Sequence, residues 1–229
     1  MITEILARLR ERIANACLNA GRTPEDVLMI AVSKTYGTDA IRSVFEAGVM
    51  HFGENKAQEL RDKYAELGNQ ITWHFIGSLQ ANKVKYVVDA ASFIHSIDSL
   101  KLAQEIAFQA AKKEKHIKCL IDAKTSQEPS KAGILDKDEL FKIADFIREQ
   151  PHLELSGLMT IAPFVDDGTI IRNSFHTLAE LRNEMNRSGY SLEHLSMGMT
   201  GDFEEAIAEG ATMIRIGSAI FGNRTYNKE

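Results

Sequence analysis

Two cations and two small-residue loops hold most of the chemistry this chain can offer. Lys34 ends the apolar run in IAVSKTYG, residues 30–37. Arg215 lies between Ile214 and Ile216 in RIGSAIFG, residues 215–222. An arginine inside an apolar run is rarely buried without partners, so it forms a salt bridge or donates to a ligand. The stretch LSMGMTGD, 195–202, offers Ser196, Gly198, Thr200 and Gly201, and Gly217 and Ser218 follow Arg215. Small residues of this kind let backbone N–H groups approach an anion, phosphate above all. Taken singly, a strand-end lysine is a solvated charge and a glycine–serine loop is a turn. Taken together, they suit one ligand class. A desolvated lysine beside a second cation can present a neutral amine to a carbonyl. The ligand that uses lysine, arginine and anion loops at once is a phosphorylated aldehyde, with pyridoxal phosphate (PLP) the obvious member.

The elements that must bring these residues together can be read from the apolar pattern. Ile2, Ile5, Leu6, Leu9, Ile13 and Cys17 recur at helical spacing, which predicts an amphipathic helix over 2–20, stopped near Gly21 and Pro24. Residues 27–32 are apolar on both parities, as in a parallel strand covered on both faces. Further strands are predicted at 49–52, 72–76, 92–96, 117–123, 153–159, 194–197 and 213–216. Helices are predicted between them, one capped by Thr38 or Asp39 and one beginning at Asn55. This alternation allows an open doubly wound sheet or a closed barrel. Roughly eight such units in about 200 to 250 residues favour a (β/α)8 TIM-type barrel, with the first helix as an extra N-terminal element. A single domain over residues 1–229 is expected, because no linker or low-complexity tract divides the chain. Closure would set the first strand beside the last, bringing Lys34 to the face that holds Arg215 and the anion loops.

Composition narrows the class. The chain has 229 residues, 44% hydrophobic and 26% charged, with net charge −5. That balance suits a globular domain and argues against a general nucleic-acid surface. Charged residues Glu4, Arg8, Arg10, Glu11 and Arg12 interrupt any signal-peptide core, and no apolar stretch reaches the roughly 18 residues of a membrane span. A cytoplasmic protein without membrane partners is therefore expected. The two cysteines, Cys17 and Cys119, lack metal-ligand spacing and are assigned to core packing. His51, His74 and His95 each end a strand, also without metal spacing, and are assigned to packing or local hydrogen bonds. No metal site is expected.

The motifs AVSKT (31–35), FGENKAQE (52–59), WHFIGSLQANK (73–83), GLMTIAP (157–163), LSMGMTGDFEEAI (195–207) and TMIRIGSAIFG (212–222) closely resemble the pyridoxal phosphate homeostasis protein family. That family is similar to the N-terminal barrel domain of alanine racemase. The resemblance implies PLP held as an aldimine on Lys34, with Arg215 facing the pyridine nitrogen. It implies that Ser196, Gly217 and Ser218 lie where the family holds phosphate, and that Asn55 lies near the cofactor. Thr200 stands where serine is common, and Lys56 and Ala57 depart from the family pattern after GEN.

Binding such a cofactor is not turnover. Racemisation needs a base on each face of the substrate carbon. In the similar racemases the second base, a tyrosine, comes from an added domain for which this chain is expected to have no room. A guanidinium also donates to the ring nitrogen without accepting its proton, which weakens the electron sink. The expected function is therefore a PLP carrier or regulator in intracellular homeostasis, with no catalytic residues assigned. PLP-dependent apoenzymes are its possible recipients, and it is expected to be monomeric. A PLP-dependent amino-acid racemase is the alternative, and a cofactor-free aldolase-type lysine a third reading. Tyr36 could pack over the cofactor or lie at the surface. Lys124 is a second strand-end lysine, and Lys131 with Gly133 forms a KxG ending without an assigned role.

Overall fold

The computed structural model describes residues 1–126 and 133–222; Lys131 lies outside them. The strands are β1 (Leu28–Val32), β2 (His51–Glu54), β3 (Thr72–Phe75), β4 (Phe93–Ile97), β5 (Ile117–Asp122), β6 (Leu153–Met159), β7 (His194–Met199) and β8 (Met213–Ile216). The helices are α1 (Ile2–Asn19), α2 (Thr38–Glu46), α3 (Ala57–Leu67), α4 (Val84–Ala90), α5 (Leu100–Lys112), α6 (Lys137–Arg148), α7 (Gly168–Arg187), α8 (Phe203–Ala208) and α9 (Ser218–Phe221). All neighbouring strands pair in parallel, and β8 pairs with β1, so the sheet closes in sequence order. Ile30 stands opposite Arg215 and Ala31 opposite Ile216. The (β/α)8 barrel expected from the alternation is the fold observed.

The double-parity apolar runs supply two cores. Outward residues such as Ala31, Phe52, Trp73, Ile94 and Leu195 pack against the helix layer. Inward residues Ile30, Phe93, Leu120, Met159 and Met213 fill the lower barrel. Above and beside them the inner wall turns polar, with His74, His95, Ser196 and Arg215 all buried. Helix α1 buries Leu6, Leu9, Ile13, Ala16 and Cys17 and packs outside the barrel against α8 and α9. Side-chain caps mark three helix starts: Ser99 accepts from Leu102 N–H, Asp136 from Asp138 N–H, and Asp167 from Thr169 N–H.

Several predicted boundaries move. The second strand runs from His51 to Glu54, two residues later than apolar content alone predicts. Its last residues are Gly53 and Glu54, and the buried Glu54 is admitted because Lys63 and Ser33 bind it. Gly37, not Thr38 or Asp39, is the N-cap of α2. Asn55 precedes α3 and stays in the loop after β2. The turn Ala81–Lys83 is 3-10 before α4 begins, and β7 continues to Met199.

Candidate functional site

A cavity of about 490 Å³ opens at the carboxyl ends of the strands, within the size range of small-molecule sites. Every strand contributes to its wall. Val32 and Lys34 come from the end of β1, Asn55 from β2, Ile76 to Ser78 from β3, and Ser96 and Asp98 from β4. Asp122, Met159 and Ile161 come from β5 and β6, Met199 to Gly201 from β7, and Arg215, Gly217 and Ser218 from β8. Of the residues singled out from the sequence, Lys34, Asn55, Arg215, Gly217 and Ser218 thus meet around one space. Lys124, the rival strand-end lysine, is not part of its wall.

Lys34 sits on a heavily tied turn. Ser33 N–H donates to Gly53 O at 3.1 Å, and Tyr36 N–H returns to Ser33 O at 3.1 Å. Thr35 has φ of 72°, uncommon for a β-branched residue, and its N–H donates to Glu59 Oε2 at 2.9 Å. Beneath the turn, Ser33 Oγ donates to Glu54 Oε1 at 2.6 Å, and Lys63 Nζ donates to Glu54 Oε1 at 2.7 Å and Ser33 O at 2.9 Å. Burial pushes the Glu54 carboxyl up from its ordinary range, and the bonds from Lys63 and Ser33 oppose that push. Tyr36 stacks on Phe221 with ring centres 4.9 Å apart, and its hydroxyl donates to Gly222 O at 2.9 Å. The tyrosine therefore clasps the β1 loop to the chain after β8. Gly77 meets the same region from β3: a Cβ there would lie 2.3 Å from Asn55 O.

Arg215 is 5% exposed. Its Nη1 donates to Ser196 O and Ser196 Oγ, both at 2.7 Å, and its Nη2 donates to Thr160 O at 2.9 Å. Burial lowers its pKa to about 10 while Asp122 and Asp202 oppose the shift, so the guanidinium remains a cation at neutral pH. Ser196 departs from its expected place. It is fully buried below Arg215, its hydroxyl engaged by Arg215 and by His95 Nδ1 at 2.8 Å, and it does not line the cavity. The reason is height: Ser196 faces inward low in β7, while the wall begins nearer the carboxyl end of that strand, at Met199, Thr200 and Gly201.

The three histidines do not end their strands, since His51 opens β2 and His74 and His95 lie within β3 and β4, and they hydrogen-bond in series. His51 Nδ1 lies 2.9 Å from His74 Nε2, and His74 Nδ1 lies 2.9 Å from His95 Nε2. Burial drives the pKa of His74 and His95 well below the ordinary imidazole value, with the neighbouring histidines adding to the effect at His74 and the Arg215 cation at His95. Among the described residues no cluster has the makeup of a metal site. Cys17 and Cys119 are buried free thiols.

Sequence reasoning passed over Ser78, Ser96, Asp98 and Asp122. Asp122 ends β5 at the parity of inward Leu120, which was a usable signal. Burial pushes its carboxyl up to about 7, against the pull of Arg215. Asn55 Oδ1 and Ser96 Oγ are buried on the cavity wall without a hydrogen-bond partner among the described residues. Such atoms are costly unless something meets them. No described helix is long and apolar enough to cross a membrane.

Comparison with known proteins adds lineage to this geometry. Residues 6–225 match the family described as the alanine racemase N-terminal domain. The pyridoxal phosphate homeostasis protein of Aquifex aeolicus is 41% identical, over 97% of this chain and 98% of its own length. That of Escherichia coli K12 is 39% identical, over 100% and 99%. The structure of Synechococcus elongatus PipY with PLP bound superposes at TM-score 0.84 with 34% identity, covering 97% of this chain and all of PipY. Alanine racemase of Corynebacterium glutamicum, at 15% identity and TM-score 0.73, shares the fold over 64% of its length. By matched length and identity, this chain belongs to the alanine racemase N-terminal domain family and, within it, to the pyridoxal phosphate homeostasis proteins.

Proposed function

We propose that the chain binds PLP in the Lys34–Arg215 cavity and acts in intracellular PLP homeostasis, as a carrier or regulator without robust catalysis. The observation that carries this reading is the meeting of Lys34 and Arg215 on one cavity, in a chain 34% identical to a protein solved with PLP bound. The residues fit the group. Lys34 would bond its aldehyde carbon, and Arg215 would donate to its ring nitrogen. The partnerless Asn55 Oδ1 and Ser96 Oγ supply polar atoms for the ring substituents. Thr200, Gly201, Gly217 and Ser218 supply the small, hydroxyl-bearing wall that a phosphate needs. Ser196, bonded to Arg215, would serve the site by holding the guanidinium.

When bound, PLP supplies an aldehyde conjugated to an electron-withdrawing ring. The chain's own residues restrain that reactivity. Arg215 is protonated and can only donate, so it would leave the ring nitrogen of bound PLP without a proton and the electron sink weak. The Ser33–Glu54–Lys63 ties and the Tyr36–Phe221 clasp hold the lysine loop in place. We take residues 1–229 as one such domain, monomeric and cytoplasmic, with PLP-dependent apoenzymes as recipients.

Absorbance of the purified protein with added PLP tests the reading. A visible band lost in Lys34→Ala is expected, whereas a colourless protein that cannot be reconstituted returns the lysine to cofactor-free carbonyl chemistry. The alternative, an amino-acid racemase, draws support from Asp122, whose near-neutral carboxyl stands on β5 across the ring from Lys34. Steady-state assays over the amino acids separate the two. Turnover comparable to dedicated racemases would replace the carrier reading.

A further inference from the structure

The hydrogen bonds below the cavity join into one column: Arg215 to Ser196, Ser196 to His95, His95 to His74, and His74 to His51. It draws on β8, β7, β4, β3 and β2 and so crosses the inside of the barrel. At its far end His51 is half-buried and lines a separate hollow with Leu28, Met29 and Met50, at the amino ends of the strands.

We propose that Arg215 imposes a single donor direction on this column, and that His95 and His74, locked as neutral Nε2–H tautomers, are positioning residues for the guanidinium. The direction comes from donor counting. A guanidinium has no acceptor, so Arg215 must donate to Ser196 Oγ. The serine hydroxyl has one proton, and its other partner is His95 Nδ1. If His95 donated through Nδ1, the serine oxygen would accept twice and its proton would be stranded at a site with no solvent exposure. The hydroxyl therefore donates to His95 Nδ1. His95, being neutral, then has its proton on Nε2 and gives it to His74 Nδ1. His74 repeats the step, giving its Nε2 proton to His51 Nδ1. The low proton affinity that burial confers on both rings agrees with their neutrality.

The column is therefore not a route for protons into the cavity, because a donor-only guanidinium closes its upper end. Each imidazole also turns its acceptor nitrogen toward the cation, so the bonds polarise one another in the sense that stabilises Arg215. The hydrogen bonds that Arg215 donates to Ser196 and Thr160 all go to neutral oxygens, so this orientation matters for a buried charge.

The test needs no cofactor at first. In protein labelled with 15N-histidine, two-bond nitrogen–proton correlations should show His74 and His95 as Nε2–H tautomers, unchanged from about pH 6 to 8. A protonated Nδ1 or an imidazolium at either ring overturns the proposal. In Ser196→Ala, which cuts the link to Arg215, both rings should become tautomer mixtures, and an unchanged pattern overturns it. Arg215→Met repeats the cut from the other side, and the serine variant remains decisive if the methionine variant does not fold. The role of Arg215 toward the ring nitrogen rests on the proposed PLP binding. In loaded protein, His95→Phe should weaken PLP about tenfold and shift its visible band, while keeping the Lys34-dependent chromophore. Unchanged affinity and spectrum would deny the column a positioning role. A wild-type protein that never takes up PLP would sink the cofactor reading, while the tautomers would still judge the column.

Discussion

Lys63 and Glu54 form the ion pair that most directly supports the cavity, because both also bind the backbone or hydroxyl of Ser33, next to Lys34. Lys63 is 8% exposed and Glu54 0%, so neither charge can fall back on water. Lys63→Met should destabilise the fold by about 3–5 kcal/mol, measured by urea unfolding, because it leaves a buried carboxylate unpaired. It should also weaken PLP uptake by loosening the lysine turn. Asp122 makes a second prediction. Its folded pKa of about 7 lies above the ordinary 3.8, so the folded state favours the protonated acid. The stability this gives is whole below the lower value, declines as pH rises, and is gone above about 7. Asp122→Asn should remove that part of the pH slope between about pH 4 and 7, and a 13C-carboxyl titration should place the inflection near 7. An inflection near 4 would refute the assignment.

Strand-end geometry explains why these side chains meet. Parallel strands of one barrel end on one face, so a residue just past each strand reaches a common mouth whatever its distance along the chain. Lys34 and Ser218 line one cavity because they follow β1 and β8, which pair with each other. Close strand approach has its own requirement at Gly157, where a Cβ would lie 2.0 Å from His194 O. Gly157→Ala must therefore push β6 and β7 apart, at a cost of about 1–3 kcal/mol in urea unfolding. Those strands carry Met159 and Met199 to the cavity wall, so PLP affinity should fall with stability. A neutral Gly157→Ala would contradict this close packing of β6 on β7.

Closure joins β1 to β8 in a ring, so among the described residues no strand of the barrel is left to recruit another chain through its backbone. The expected behaviour is a 25.5 kDa monomer on size-exclusion chromatography, with and without PLP. Because PLP would bind the folded chain alone, saturating cofactor should raise the melting temperature of the wild type, and Lys34→Ala should lose most of that rise. A dimer at working concentration would contradict the monomer reading.

Apolar periodicity was enough to read the β/α alternation and to favour the barrel over an open sheet, and it marked Lys34, Arg215 and the glycine–serine loops as candidates. Each is a local property: runs apolar on both parities mark covered parallel strands, and cations or glycines interrupt them at their ends. Side-chain chemistry then named the ligand class, and the family motifs pointed to the same cofactor. Composition could not show that β2 would run through Glu54, because a buried carboxylate is tolerated only where a distant lysine answers it. Nor could spacing show that Ser196 would turn beneath Arg215 instead of into the cavity, or that His51, His74 and His95 would join in one column. Those outcomes depend on which residues stand at equal heights inside a closed ring. Strand register and shear set those heights, and they become definite only when β1 meets β8.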